Sequence, residues 1–298
     1  MGALRDARFG RVLTAMITPF DRDGGLDLDG AQELARWLVD HGSDGLVVNG
    51  TTGESPTLTA TESIDLFRAV RQAVEVPVIA GTGSNDTAHA IRQSEAAAGI
   101  GVDGLLVVAP YYNRPSQAGL DQHFRAIAGA TDLPVILYDI PIRTGRKVET
   151  STILRLAHEV PTIVGLKDAA GDPAETAAVV AQAPAGFDVL SGDDNLTLPL
   201  LSVGAVGVIS VTSHWAGEQV RAMFDAFDAG DVAEAMRVNQ RLLPSYAFQS
   251  TPEAPNPVPT KAMLRTLGLP AGECRPPMGP TPDGLEVEAK ELWDQLTG

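Results

Sequence analysis

The chain has 298 residues, 44% of them hydrophobic and 20% charged, with a formal net charge of −16. This length can bury a large core, as one domain or as one domain with an appendage. The negative charge argues against nucleic acid and anionic membranes as partners, although a local arginine can still bind an anionic small molecule. The single cysteine, Cys274, excludes an internal disulfide and a cysteine-based metal site.

No run of residues is long and apolar enough to span a bilayer. The first segment, Met1–Arg8, lacks the apolar core of a signal peptide, and we expect it to be frayed. These features predict a cytoplasmic protein.

Short apolar runs alternate with helical patterns along most of the chain, which predicts strands separated by helices. The eight predicted strands are Val12–Thr18, Gly45–Asn49, Pro77–Gly81, Gly104–Ala109, Pro134–Tyr138, Thr162–Lys167, Asp188–Ser191 and Val206–Val211. Eight such units predict an α/β fold, a closed (β/α)8 TIM barrel, rather than its rival, a doubly wound open sheet. The first strand is not followed by the G-x-G-x-x-G motif of a dinucleotide-binding sheet.

Several helices carry start signals that are structural in nature. The predicted caps are Asp29 for a helix over Ala31–Asp40 that stops at Gly42, Thr59 with Glu62 as a capping box, and Asp172 with Pro173 and Glu175.

Beyond the eighth strand the pattern is helical. We predict helices over Gly217–Ala229 and from Asp231 to Leu242, with a break at Gly230 between them. A proline-rich loop over Thr251–Pro259 and helices over Thr260–Leu267 and Leu285–Leu296 follow. Residues 1–230 are therefore predicted to form the catalytic barrel, and residues 231–298 a C-terminal helical appendage packed on it.

Lys167 ends the apolar run Thr162–Asp168 and is one of only four lysines. A lysine with apolar neighbours has its amine pKa lowered by desolvation, and a neutral amine can form a Schiff base with a ketone. The alternative is a strand-end lysine that extends to solvent.

Other polar residues also follow predicted strands, where a barrel carries its site. They comprise Thr51 and Thr52 in a glycine-flanked turn, Tyr111 and Tyr112, Tyr138 followed by Arg143, and Ser191 to Asp194. The turn can bind an anion, the phenol can transfer a proton, and the guanidinium can hold a carboxylate. Each is weak evidence alone, and their common edge favours an active site.

The five histidines show no metal-binding spacing, and no phosphate-binding glycine motif is present. The sequence therefore predicts neither a metal nor a cofactor.

Six motifs resemble, in order and spacing, the pyruvate-dependent class I aldolase family. They are Gly50-Thr-Thr-Gly-Glu54, Pro110-Tyr-Tyr-Asn-Arg-Pro115, Tyr138-Asp-Ile-Pro-x-Arg-Thr-Gly145, Gly165-Leu-Lys-Asp168, Ser191-Gly-Asp-Asp194 and Gly207-Val-Ile-Ser-Val211. The resemblance runs from about Val12 to the end and includes Asn256-Pro-Val-Pro-Thr-Lys261. It is strongest to members that condense pyruvate with L-aspartate 4-semialdehyde in the lysine and diaminopimelate pathway.

The resemblance implies four catalytic residues. Lys167 would form the Schiff base with pyruvate, and Tyr138, hydrogen-bonded to Thr52, would be the general acid and base. Tyr112 of a neighbouring subunit would complete a relay through Thr52 and Tyr138.

The resemblance also implies how the substrates and subunits are held. Thr51 and Thr52 would bind the pyruvate carboxylate, Arg143 would bind the carboxylate of the semialdehyde, and the carbonyls of Gly192 and Ile209 would line the pocket. The family is usually a homotetramer, a dimer of dimers, and needs no cofactor.

Sibling aldolases on the same scaffold, such as N-acetylneuraminate lyase and 2-keto-3-deoxy-sugar acid aldolases, are the alternative. They share the lysine and the tyrosine, and the acceptor pocket distinguishes them. Arg143 and the Thr51-Thr52 pair match the semialdehyde-condensing members. A non-catalytic barrel and a metal-dependent aldolase are further alternatives.

One departure concerns feedback inhibition. Lysine-inhibited relatives carry a histidine and a glutamate where this chain has Ser63 and His89. Without that carboxylate a cationic inhibitor should bind poorly, so we expect little or no inhibition by L-lysine.

Overall fold

Eight parallel strands form a closed barrel in chain order. The computed structural model describes residues 7–298, so most of the predicted frayed segment Met1–Arg8 lies outside the described residues. The strands are β1 Val12–Ala15, β2 Gly45–Val48, β3 Val78–Gly81, β4 Gly104–Val108, β5 Val135–Asp139, β6 Ile163–Asp168, β7 Asp188–Ser191 and β8 Gly207–Ser210. The predicted TIM barrel and all eight predicted strands are confirmed, with ends that shift by up to three residues.

Helices follow the strands and continue beyond the last one. They are α1 Leu28–Asp40, α2 Ala60–Ala73, α3 Thr87–Ile100, α4 Gln117–Ala128, α5 Pro141–Thr144, α6 Thr150–Glu159, α7 Pro173–Gln182, α8 Thr197–Ser202, α9 Ser213–Asp228, α10 Val232–Phe248, α11 Val258–Thr266 and α12 Leu285–Thr297. None of the helices in the described part of the chain combines the length and the hydropathy needed to cross a membrane.

Two compact units can be distinguished within the chain. The central unit comprises residues 7–11 and 77–209, which carry β3 to β7 and most of β8. The terminal unit comprises residues 12–76 and 210–298, which carry β1, β2 and helices α9 to α12. The predicted boundary at residue 230 marks the end of the strand-and-helix alternation, whereas the two units are distinguished by their internal contacts. The boundary therefore stays a prediction.

The strand register brings together the residues at the ends of β5, β6 and β7. In the central unit Tyr138 pairs with Lys167, and Asp168 pairs with Ser191. The strands have this register because their side chains are almost all buried, as expected for a parallel barrel whose strands are covered on both faces.

The predicted helix starts are mostly confirmed, with one error. Thr59 and Glu62 form the predicted capping box, and Asp172 caps α7 with Pro173 at its first position. Asp29 is not the cap of α1. The helix begins at Leu28, three residues before the predicted Ala31, because Asp27 accepts the backbone N–H of Gly30 and caps the helix.

Helix α10 is longer than predicted, and helix α9 begins with an additional turn. Helix α9 spans Ser213–Asp228 but is kinked at Ala216, so its continuous part starts at the predicted Gly217. Helix α10 continues past Leu242 to Phe248 although Pro244 lies inside it.

Candidate active site

Lys167 and Tyr138 form the centre of the site in the central unit. Their strand positions are paired, and the Lys167 Nζ lies 4.2 Å from the centroid of the Tyr138 ring. Both residues are 6% exposed. An amine and a phenol therefore share one nearly water-free end of the barrel strands.

Burial changes the protonation of Lys167. The pKa of the amine is lowered from 10.5 to about 8, mainly by desolvation, and the charge of the Arg143 guanidinium acts in the same direction. The carboxylates of Asp194 and Asp193 oppose this shift. At pH 8 about half the molecules therefore hold the neutral, nucleophilic amine.

The Tyr138 phenol stays protonated in the working pH range. Burial is the main cause that raises its pKa, and the charges of Asp193 and Asp139 act in the same direction. The positive charge of Arg143 opposes them. The phenol is thus a proton donor at rest and can act as a base only after it has given up that proton.

Arg143 lies within electrostatic reach of the amine and the phenol. It is exposed and belongs to the short helix α5 that directly follows β5. Its charge acts on Lys167, Tyr138 and Asp193. An exposed guanidinium beside a buried amine is suited to hold a soluble anionic substrate.

Gly192 permits a close approach to Lys167. A Cβ at this position would lie 3.1 Å from the Lys167 Cε and 2.8 Å from the Ala169 Cβ. The Gly192 N–H donates to the Asp168 carbonyl at 2.7 Å, which fixes this approach. A side chain at position 192 would therefore clash with Ala169 and crowd the lysine stem.

Two buried aspartates, Asp139 and Asp168, directly follow Tyr138 and Lys167 along the strands. Asp139 Oδ1 accepts the Val148 N–H at 3.1 Å, and Asp168 Oδ2 accepts the Thr176 hydroxyl at 2.6 Å. Burial raises the pKa of Asp139 to about 6, although the hydrogen bond from the Val148 N–H and the charge of Lys147 both act to lower it. These bonds tie the ends of β5 and β6 to the segments that follow them.

The two predicted threonines lie in the loop after β2, in the terminal unit. Thr51 is half-buried and Thr52 is buried. Asn49 and Glu54 on either side have φ values of 61° and 55°. The Thr51 carbonyl accepts the Glu54 N–H at 3.0 Å, which closes the loop into a turn.

Helix α11 and the segment that follows it hold this loop through charged groups. The Lys261 Nζ lies 2.7 Å from Glu54 Oε1, and both side chains are essentially inaccessible to solvent. The backbone N–H of Arg275 donates to Glu54 Oε2 at 2.8 Å, and its guanidinium donates to Glu62 at 2.6 Å. The face of the Phe20 ring lies 4.1 Å from the Lys261 Nζ and 4.2 Å from the Arg275 guanidinium.

The remaining predicted residues differ in exposure. Ile209 is buried within β8. Tyr112 is 90% exposed with a φ of 71°, a strained conformation for a tyrosine. Its side chain therefore points to solvent rather than into the core.

No group of three or more potential ligands among the described residues could hold a metal ion. His123 and His214 are buried, and desolvation lowers the pKa of each to about 4. These two histidines are neutral at physiological pH.

Comparisons with known proteins agree with this geometry. The model of the dihydrodipicolinate synthetase family matches residues 8–295. The 4-hydroxy-tetrahydrodipicolinate synthase of Moorella thermoacetica is 58% identical over 96% of this chain and 98% of the relative.

The chain belongs to the dihydrodipicolinate synthetase family.

Solved structures of this family are similar over nearly the full chain. The dihydrodipicolinate synthase of Cyanidioschyzon merolae with lysine bound has a TM-score of 0.94 and 43% identity, over 98% of this chain and 99% of that one. The chloride-inhibited synthase of Acinetobacter baumannii complexed with pyruvate has a TM-score of 0.91 and 35% identity, over 97% and 99%.

The Thr51-Thr52 loop is supported by residues to which the sequence patterns gave no role. Sequence reasoning singled out Lys167 because it ends a strand, whereas Lys261 lies in a helix and is buried even more completely. Arg275 and Asn256 were also missed as supports of the Thr51-Thr52 loop. The available signal was Lys261 itself, an isolated lysine within the apolar run from Val258 to Leu264.

Proposed function

We propose that the chain condenses pyruvate with L-aspartate 4-semialdehyde to give 4-hydroxy-tetrahydrodipicolinate, with Lys167 as the Schiff-base nucleophile. The observation that carries this proposal is the pair of Lys167 and Tyr138. The buried amine has a pKa of about 8, and its Nζ lies 4.2 Å from the centroid of the Tyr138 ring, whose hydroxyl is protonated. Membership of a family of synthases supports the choice of substrates.

The chemistry needs only proton transfers and carbonyl additions. The neutral Lys167 amine adds to the pyruvate ketone, and loss of water gives an iminium that withdraws electrons from the methyl group. Tyr138 gives its proton to the departing hydroxyl, and the Tyr138 phenolate then takes a methyl proton, which leaves an enamine whose carbon attacks the aldehyde. The reprotonated Tyr138 phenol donates to the resulting alkoxide. The amine of the semialdehyde then displaces Lys167 as the ring closes, which regenerates the free enzyme.

Substrate binding is divided between two groups of residues. Thr51 and Thr52 bind the pyruvate carboxylate through backbone N–H groups and hydroxyls. Arg143 binds the carboxylate of the semialdehyde, and the backbone carbonyls of Gly192 and Ile209 line the pocket. The exposure of Arg143 supports its role, because the second substrate must arrive after pyruvate has reacted.

The working form is a homotetramer in the cytoplasm, built as a dimer of dimers. Tyr112 of one subunit completes a relay with Thr52 and Tyr138 of its neighbour. The support for this is that Tyr112 is strained and 90% exposed, a costly arrangement for a tyrosine that has no partner.

Pyruvate consumption by the purified protein, with and without L-aspartate 4-semialdehyde, tests the proposal. We expect consumption only when the semialdehyde is present. Borohydride in the presence of pyruvate should trap an adduct on Lys167, and the Lys167→Ala variant should trap none.

Two outcomes would redirect the assignment. Trapping without semialdehyde-dependent consumption would move the function to a sibling aldolase. Absence of any trapped adduct would remove the Schiff-base mechanism.

A further inference from the structure

The hydroxyl of Thr52 has a buried partner at the start of α11. The Asn256 Nδ2 donates to Thr52 Oγ1 at 2.9 Å, and the two residues are 7% and 4% exposed. The amide is itself held, because the Thr260 hydroxyl donates to Asn256 Oδ1 at 3.4 Å. The Asn256 backbone N–H donates to the Ser250 hydroxyl at 3.2 Å.

This contact restricts what the Thr52 hydroxyl can do. A hydroxyl has one hydrogen and two acceptor sites, and Asn256 occupies one of the acceptor sites. The Thr52 hydrogen must therefore point away from Asn256. A hydroxyl that already accepts a hydrogen bond is polarised into a better donor and a poorer acceptor.

We propose that Asn256 is a positioning residue that commits the Thr52 O–H to the carboxylate of pyruvate. This inference rests on the proposed function, in which Thr52 binds that carboxylate. A carboxylate only accepts hydrogen bonds, so it needs a hydroxyl that is oriented and polarised as a donor. Asn256 provides both conditions, and it belongs to the C-terminal segment rather than to a barrel strand.

The proposal separates two roles predicted for Thr52. Its single hydrogen cannot serve the carboxylate and a relay to Tyr138 at the same moment. Thr52 is therefore a pyruvate ligand first.

The Asn256→Asp substitution tests the direction of the hydrogen bond. The new carboxylate can only accept, so the Thr52 O–H turns toward it and is lost to pyruvate. We expect the pyruvate concentration for half-maximal borohydride trapping to rise roughly ten- to hundredfold. The kcat at saturating pyruvate should change by less than about threefold, because Asn256 does not touch the reacting atoms. Asn239→Asp, the same change on the half-buried Asn239 of α10, should leave both quantities unchanged.

Two further variants keep the test decisive if Asn256→Asp folds poorly. Thr260→Val removes the hydroxyl that orients the amide and should raise the half-saturating pyruvate concentration about threefold. In a Thr52→Val background, the substitution at Asn256 should cost nothing more, because the proposed effect passes through the Thr52 hydroxyl.

The outcomes distinguish this inference from the proposed function. The positioning role would be overturned if Asn256→Asp raised the half-saturating pyruvate concentration equally in the wild-type and the Thr52→Val backgrounds. It would also be overturned if the substitution lowered kcat alone. Wild-type protein that traps pyruvate while all Asn256 and Thr260 variants trap it equally well would overturn this inference alone. Wild-type protein that traps no pyruvate would overturn the proposed function, and this inference with it.

Discussion

Lys167 and Lys261 are the two buried lysines, and they differ in whether a carboxylate pairs with the amine. Lys261 is matched by the carboxylate of Glu54, whereas Lys167 has no ion-pair partner among the described residues. The charges of Asp193 and Asp194 only moderate the effect of desolvation on the Lys167 amine. Desolvation lowers the pKa of both amines, and at Lys261 the charge of Glu54 and its hydrogen bond to the amine oppose that shift.

The first prediction concerns the pH dependence of Schiff-base formation. The trapping rate should rise with pH through a midpoint of about 8, where the Lys167 amine loses its proton, and level off above it. The Asp194→Asn variant should have a lower midpoint, because the Asp194 carboxylate raises this pKa. The exposed Asp132→Asn variant is the control and should keep the midpoint. A midpoint near 10 in the wild type would contradict the burial of the amine.

The second prediction separates the two substrates. Arg143→Ala should still trap pyruvate but should raise the KM for the semialdehyde about a hundredfold, since a charge-assisted contact is lost. The assay belongs at pH 9, because removal of Arg143 also raises the Lys167 pKa. Arg92→Ala, on the exposed face of α3, is the control. Equal losses in trapping and in condensation would refute the assignment of Arg143 to the second substrate.

Among the elements of the fold, the strands could be predicted from the sequence, whereas the contacts that hold the loops at their ends could not. Each strand is a short, buried apolar run, so its local sequence indicates it. The chemistry at its end follows from the barrel rule that sites lie at the carboxyl edge. Contacts of α11 with the loop after β2 join residues 204 positions apart, as in the bond between Asn256 and Thr52. No local pattern encodes such a pair.

Helix α10 illustrates a second limit of local reasoning. Pro244 favours an end of the helix near Leu242, because proline lacks an N–H and crowds the preceding turn. The helix nevertheless reaches Phe248. Leu242, Ser245 and Tyr246 on either side of the proline are buried, so tertiary packing outweighs the local penalty.

The third prediction tests the buried ion pair that supports the Thr51-Thr52 loop. Lys261→Met should lower the free energy of unfolding by about 3–5 kcal/mol, because it leaves the buried Glu54 charge unmatched. Adding Glu54→Gln should recover most of that loss. Lys290→Met, which breaks an exposed pair with Asp294, should cost less than about 1 kcal/mol. Urea denaturation measures all three, and a double variant no more stable than Lys261→Met would refute the pairing energetics.

For the whole molecule, the proposed assembly predicts that defective subunits complement one another. Tyr112→Phe and Lys167→Ala should each be nearly inactive alone. In an equal mixture that is unfolded and reassembled, half the dimers are mixed, and each mixed dimer has one site with both residues intact. We expect about a quarter of the wild-type activity. The mixture should stay as inactive as its components if Tyr112 acts within its own chain.

The fifth prediction concerns regulation of the whole enzyme. We expect no half-inhibition at sub-millimolar L-lysine, because position 89 is a histidine where inhibited relatives have a carboxylate. Ser63 is buried and its hydroxyl donates to the Thr59 carbonyl at 3.0 Å, so it is committed to its helix. The Ser63→His/His89→Glu variant should gain inhibition in a steady-state assay. Inhibition of the wild type in that concentration range would refute the expectation.

The division of the chain into a central and a terminal unit has a consequence for its synthesis. The ribosome makes the loop that carries Thr52 long before it makes Asn256, 204 residues later. At usual translation speeds that interval is roughly 10 to 40 s. Residues 77–209 of the central unit, with Lys167 and Tyr138, emerge entirely within it. The nascent chain therefore carries Lys167 for some time before the Thr51-Thr52 loop receives its last supports, and premature termination before residue 256 would leave that loop without them.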